Sequence, residues 1–96
     1  MKVNFNVDIL DIAGNPVKTP DGQGMKIKEA LANSIVQSRA EGNYMALFEL
    51  AQKIYRSEAE EDYTPFEIEI IERVLETSGI WVLAAAQVKN IILKNK

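Results

Sequence analysis

Over the first ten residues, Val3, Phe5, Val7 and Ile9 alternate with Lys2, Asn4, Asn6 and Asp8. A period of two sets the apolar side chains on one face of a strand and the polar ones on the other. The phase breaks at Ile9-Leu10, a place for a bulge or for pairing to end. In "LDIAGNPVKT" the Asp11 side chain can cap a turn, and Gly14 takes a positive φ at no steric cost. Pro16 has no N–H to donate and suits an edge. Together these signals predict a β-hairpin over residues 2–19 whose apolar face lies on other elements, because a hairpin alone is marginal in water.

Past the breaker-rich loop "TPDGQG" the period becomes helical. Ile27, Ala30, Leu31, Ser34 and Ile35 predict a first helix over about 25–39, stopped at Gly42. Asn43 caps a second helix over 43–56, where Tyr44, Leu47, Phe48, Ala51, Ile54 and Tyr55 form one stripe. So short a connection makes the two helices adjacent and roughly antiparallel. The third helix, over 65–78, has the fullest set of end signals. Thr64 is the N-cap, Pro65 the first helical residue, and Glu67 completes a capping box; Tyr63 and Ile68 form the hydrophobic staple. Gly79 suits a left-handed ending, with Ile80 folding back on Leu75.

The last helix, over 80–94, is apolar on nearly every side through Ala86. Its main stripe is Trp81, Ala84, Ala85, Val88 and Ile92. That predicts a central position, packed by the other helices or by a second subunit. No internal repeat is apparent. The expected architecture is a single α+β domain over 1–96, an N-terminal β-hairpin packed on four helices with the last one central.

Composition narrows the chemistry. The 96 residues include neither cysteine nor histidine, which removes disulfides, thiolate catalysis, thiolate metal sites, the usual neutral-pH base and a serine triad. A net charge of −3 argues against a general nucleic-acid binder. The longest apolar run, Ile80 to Ala86, is far too short to span a membrane, and the alternating start is not a signal peptide. The expectation is a soluble cytoplasmic protein with no cofactor and with neither nucleic acid nor membrane as partner.

Carboxylates are the one dense functional group: eight acids stand between Glu58 and Glu76 against a single base, Arg73. Glu69, Glu72 and Glu76 share one helix face opposite Ile70, Ile71 and Val74. Such a set could hold Mg²⁺ or Ca²⁺, but a solvated helix face explains it more simply. "SEAEEDYTPFE" lacks the glycine of an EF-hand loop, and "GQGMK" lacks the spacing of a P-loop. A helix-turn-helix reading fails because the second helix carries only Lys53 and Arg56, both late. The aromatic stripe Tyr44, Phe48 and Tyr55 is expected in the core of so small a domain. The alternative makes Tyr44 and Phe48, with Trp81, a partner-binding surface.

Taken in order, the alternating strand, "LDIAGNPVK", a helix, "LFELAQKIYRSE", "YTPFEIEIIERVLE" and an apolar terminal helix resemble small proteins of unknown function encoded by bacteriophages and prophages near virion-assembly genes. Leu10, Asp11, Gly14 and Pro16 carry the match, with Leu50, Ala51, Ile54 and Tyr55. The resemblance spans most of the chain and brings no catalytic residue. It implies a non-enzymatic role, such as a tail-assembly accessory or chaperone. The expected function is therefore a protein–protein interaction module, with a homodimer through the free hairpin edge or the terminal helix. A carboxylate-based divalent-metal protein and an acidic DNA mimic are the alternatives.

Overall fold

The structure, a computed structural model, describes residues 1–37, 44–77, 80 and 82–95. It is α+β, in the order β1 (Lys2–Val3), α1 (Ile27–Gln37), α2 (Tyr44–Arg56), β2 (Glu61–Asp62), α3 (Pro65–Thr77) and α4 (Val82–Lys94). Gly42, Asn43 and Gly79, expected at helix ends, lie outside the described residues.

The amino-terminal segment folds back on itself as the hairpin signals require. Leu10 bridges Pro16 antiparallel, and the Val17 N–H donates to Ile9 O at 2.8 Å. The second arm, however, does not run the whole length of the first. Lys2 and Val3 pair instead with Asp62 and Glu61 of β2. The second arm is too short to reach them, because the chain turns again at Thr19–Gly22.

That second turn exposes an internal repeat which the residue types conceal. Asp11 N–H donates to Asn15 O and Gly14 N–H to Asp11 O; eight residues on, Thr19 N–H donates to Gln23 O and Gly22 N–H to Thr19 O, at matching distances of 2.8 and 2.9 Å. Gly14 and Gly22 take φ of 89° and 87°, the left-handed geometry that follows a type I turn in a bulged hairpin. The repeat closes a ring: Val17 N–H donates to Ile9 O, Met25 N–H to Val17 O (3.1 Å), and Ile9 N–H to Met25 O (2.8 Å). Ile9 is fully buried, with Val17 and Met25 packed against the same core. At Gly24 a Cβ would sit 3.1 Å from Asp8 Oδ1, so a larger residue would press on the carboxylate that pairs with Lys26 at 2.8 Å.

This ring also moves the start of α1. Met25 and Lys26 are used in strand-like pairing, so the helix begins at Ile27, later than the apolar spacing predicts. Its first free N–H groups find main-chain acceptors in place of a capping side chain: Ile27 donates to Val7 O and Lys28 to Phe5 O.

The core joins Val3, Phe5 and Ile9 to Ile27, Leu31 and Ile35 of α1, Leu50, Ala51 and Ile54 of α2, Ile68, Ile70, Ile71 and Val74 of α3, and Ala84, Val88 and Ile92 of α4. α1 packs on each of the other three helices. α4 buries Ala84, Val88 and Ile92 of its expected stripe but is not buried on most faces: Val82, Leu83 and Leu93 are exposed. Ninety-six residues provide too few elements to cover both sides of that helix. Among the described residues, no helix is long and apolar enough to cross a membrane.

Candidate functional site

α2 presents the largest departure from expectation. Its buried line runs through Leu50, Ala51 and Ile54, with Leu47 half-buried beside them, which rotates the aromatic residues off the core. Tyr44 is 68% exposed, Phe48 48%, Met45 53% and Tyr55 57%. The core placement of this stripe is thus corrected: Tyr44, Phe48 and Tyr55 are all exposed. Trp81, the third residue of that alternative, lies outside the described residues. The physical reason is competition: the angular sector of a helix facing its neighbours is narrow, and the aliphatic residues of α2 fill it.

Beside this face, an open groove of about 340 Å³ separates α2 from α3, lined by Ala46, Leu50, Phe66 and Ile70 with Glu49, Lys53 and Glu67. The Lys53 ammonium spans it, donating to Glu67 Oε1 at 3.0 Å and to Asp62 O at 2.6 Å, and lying 4.8 Å from the centre of the Tyr63 ring. Glu67 Oε1 also accepts the Thr64 N–H at 2.9 Å, while the Glu67 N–H donates to Thr64 Oγ1 at 3.1 Å. The capping box therefore forms as predicted. Partial burial raises the Glu67 pKa, but the Thr64 N–H and the Lys53 ammonium outweigh it and hold the carboxyl below its ordinary value. Glu67 is thereby committed as an anion to fastening α3 onto α2.

Tyr63 lies fully buried under Lys53, its ring 5.4 Å from that of Phe5, and among the described residues its hydroxyl meets no partner in full hydrogen-bond geometry, although the Ser57 hydroxyl lies near it. Burial pushes its pKa up to about 12; the Ser57 hydroxyl opposes the rise, and the Glu61 and Glu67 carboxylates add to it. At the sheet end, Asp62 accepts from the α-amino group of Met1 at 3.0 Å, and that ammonium draws the carboxyl below its ordinary range.

The carboxylates singled out as metal candidates are not brought together. Glu69 pairs with Arg73 at 3.2 Å and Glu72 with Lys89 of α4 at 3.7 Å, while Glu76 is exposed. Among the described residues, no three acidic side chains are grouped closely enough to hold a metal ion. As predicted, Ile70, Ile71 and Val74 occupy the opposite, buried face.

Two further contributors escaped sequence reasoning. Gln87 of α4 donates through Nε2 to Asp8 O at 2.7 Å and accepts the Leu10 N–H at 2.9 Å through Oε1. Its side-chain amide stands where a neighbouring strand would, so the edge expected to pair with a second copy is already occupied there. Lys28 of α1 reaches Ser57 O at 2.9 Å, closing the end of α2. Neither side chain carries a local sequence signal, since each acts on backbone distant in sequence.

Comparison with protein-family models, with curated proteins and with solved structures finds no match to this chain.

Proposed function

We propose that this chain is a non-enzymatic protein–protein interaction module that engages its partner through the exposed face of α2. One observation carries this reading: Tyr44, Met45, Phe48 and Tyr55 stand in solvent on one helix of a domain small enough to need its aromatic residues inside. Aromatic residues and methionine are enriched at contact surfaces, where they desolvate large areas at little conformational cost. The polar groups beside this face are engaged in fastening elements together, as the Lys53–Glu67 pair illustrates. The resemblance to phage-encoded proteins found near virion-assembly genes suggests a setting, in which the module serves assembly as an accessory or chaperone.

Site-specific photo-crosslinking tests the reading. A benzophenone side chain placed at Tyr44 or Phe48 in cells is expected to give discrete protein adducts, and one at exposed Asn33 of α1 none. No adduct at either α2 position, or equal adducts at all three, overturns the proposal.

A further inference from the structure

Glycine directly follows an aspartate or asparagine at a single place in the chain, Asp21-Gly22. Such a pair is chemically labile. The Gly22 nitrogen can attack Asp21 Cγ while the carboxyl hydroxyl leaves as water, closing a succinimide ring. Water then reopens the ring at the former main-chain carbonyl, and the chain runs on through the Asp21 side chain as isoaspartate. Glycine favours the reaction because it has no Cβ to hinder the approach. Asp21 and Gly22 are both exposed on the second turn of the amino-terminal ring, where water has free access.

The two turns of the ring differ in the side chain that closes them. In the first, the Asp11 carboxylate accepts the Ala13 and Asn15 N–H groups at 3.0 and 2.9 Å. In the second, the Thr19 hydroxyl accepts the equivalent Gln23 N–H at 3.3 Å and donates to the Asp21 carboxylate. A carboxylate at 19 would close this turn as Asp11 closes the first. It would have no proton to donate, however, and would repel Asp21. The Thr19 hydroxyl instead holds the Asp21 carboxyl below its ordinary pKa, and a carboxylate anion has no hydroxyl to lose as water. The second reacting group is engaged as well, since the Gly22 N–H donates to Thr19 O at 2.9 Å.

We infer that Thr19 is a positioning residue that protects the Asp21-Gly22 bond from isoaspartate formation. Its hydroxyl retains the carboxylate and its carbonyl retains the amide, so cyclisation must wait for the turn to open. The protection bears on the fold. Isoaspartate would insert an extra methylene into the main chain between Val17 and Met25, whose backbone groups bond at 3.1 Å to close the ring, and would disturb the Lys18–Gly24 bridge.

Ageing the full chain at neutral pH tests this, with isoaspartate at Asp21 read by enzymatic methylation and peptide mapping. Folded wild type is expected to accumulate it several-fold more slowly than the same chain unfolded in urea. Thr19→Asp keeps an acceptor for the Gln23 N–H but loses the donor, and should age several-fold faster than wild type. Thr19→Ser restores the donor and should return the wild-type rate. Circular dichroism and exchange of the Gly22 amide verify that each variant keeps its fold and turn. Equal rates in folded and unfolded wild type overturn the inference. So does a turn-retaining Thr19→Asp that ages no faster than wild type, or a Thr19→Ser that ages as fast as Thr19→Asp. If Thr19→Asp loses the turn, Thr19→Val takes its place, and a Thr19→Val no faster than Thr19→Ser overturns the inference equally.

Discussion

Thr64 and Glu67 satisfy each other's backbone N–H groups at the start of α3, and Glu67 also holds Lys53. Thr64→Ala should lower stability by about 1 kcal/mol, the usual worth of an N-cap, measured by thermal melting. Because the folded carboxyl of Glu67 ionises below its ordinary value, its stabilisation is present at neutral pH and is lost as pH falls through that folded value. Melts across acid pH should therefore show a shallower acid decline in Glu67→Gln than in wild type. Tyr63 has the opposite sign. A phenol raised from 10.0 to about 12 favours the fold below pH 10, and that contribution disappears as pH climbs through about 12. Tyr63→Phe should flatten this alkaline decline. At neutral pH it should be neutral or stabilising by up to ~1 kcal/mol, since the hydroxyl it removes is buried without a partner in full hydrogen-bond geometry. A loss of more than that would show that the hydroxyl has a partner after all.

At the scale of elements, the Gln87 side-chain amide ties the backbone of the amino-terminal ring to α4. Gln87→Leu would remove both bonds, costing about 1 kcal/mol, since water reaches the Leu10 N–H. The Leu10 amide should then lose protection from hydrogen exchange ahead of the helices. Gln87→Glu preserves the acceptor for Leu10 but sets a carboxylate oxygen against Asp8 O, so it should not rescue. Equal Leu10 protection in wild type and both variants would show that the ring holds without α4. The α2–α3 junction differs in kind, because its fastening is ionic and its apolar floor of Leu50 and Ile70 stays partly open as a groove.

For the whole molecule, one core joins the ring, the two-stranded sheet and all four helices, so unfolding should be a single transition. Leu31 is fully buried on α1, which meets each of the other helices. Leu31→Ala should cost about 2–5 kcal/mol, a large share of the roughly 5–15 kcal/mol available to a domain. In urea, helix signal and Leu10 amide protection should be lost together at the lowered midpoint. If the helices melted while the ring stayed protected, the single-core description would fail.

What the sequence determined by itself was whatever a few neighbouring residues can enforce. The start of α3 follows from Thr64, Pro65 and Glu67, because caps act within one turn. The buried faces of the strand, of α1 and of α3 follow from apolar spacing, because period and face are linked by backbone geometry. Tertiary structure decided the pairing of Lys2–Val3 with Glu61–Asp62, the closure of Ile9, Val17 and Met25 into a ring, and the reach of Gln87 to Asp8 and Leu10. Each joins groups whose meeting depends on where the intervening chain goes. It also decided the exposure of Tyr44 and Phe48, since aliphatic and aromatic residues alike satisfy an apolar stripe and only the shape of the neighbouring helices selects which of them is covered.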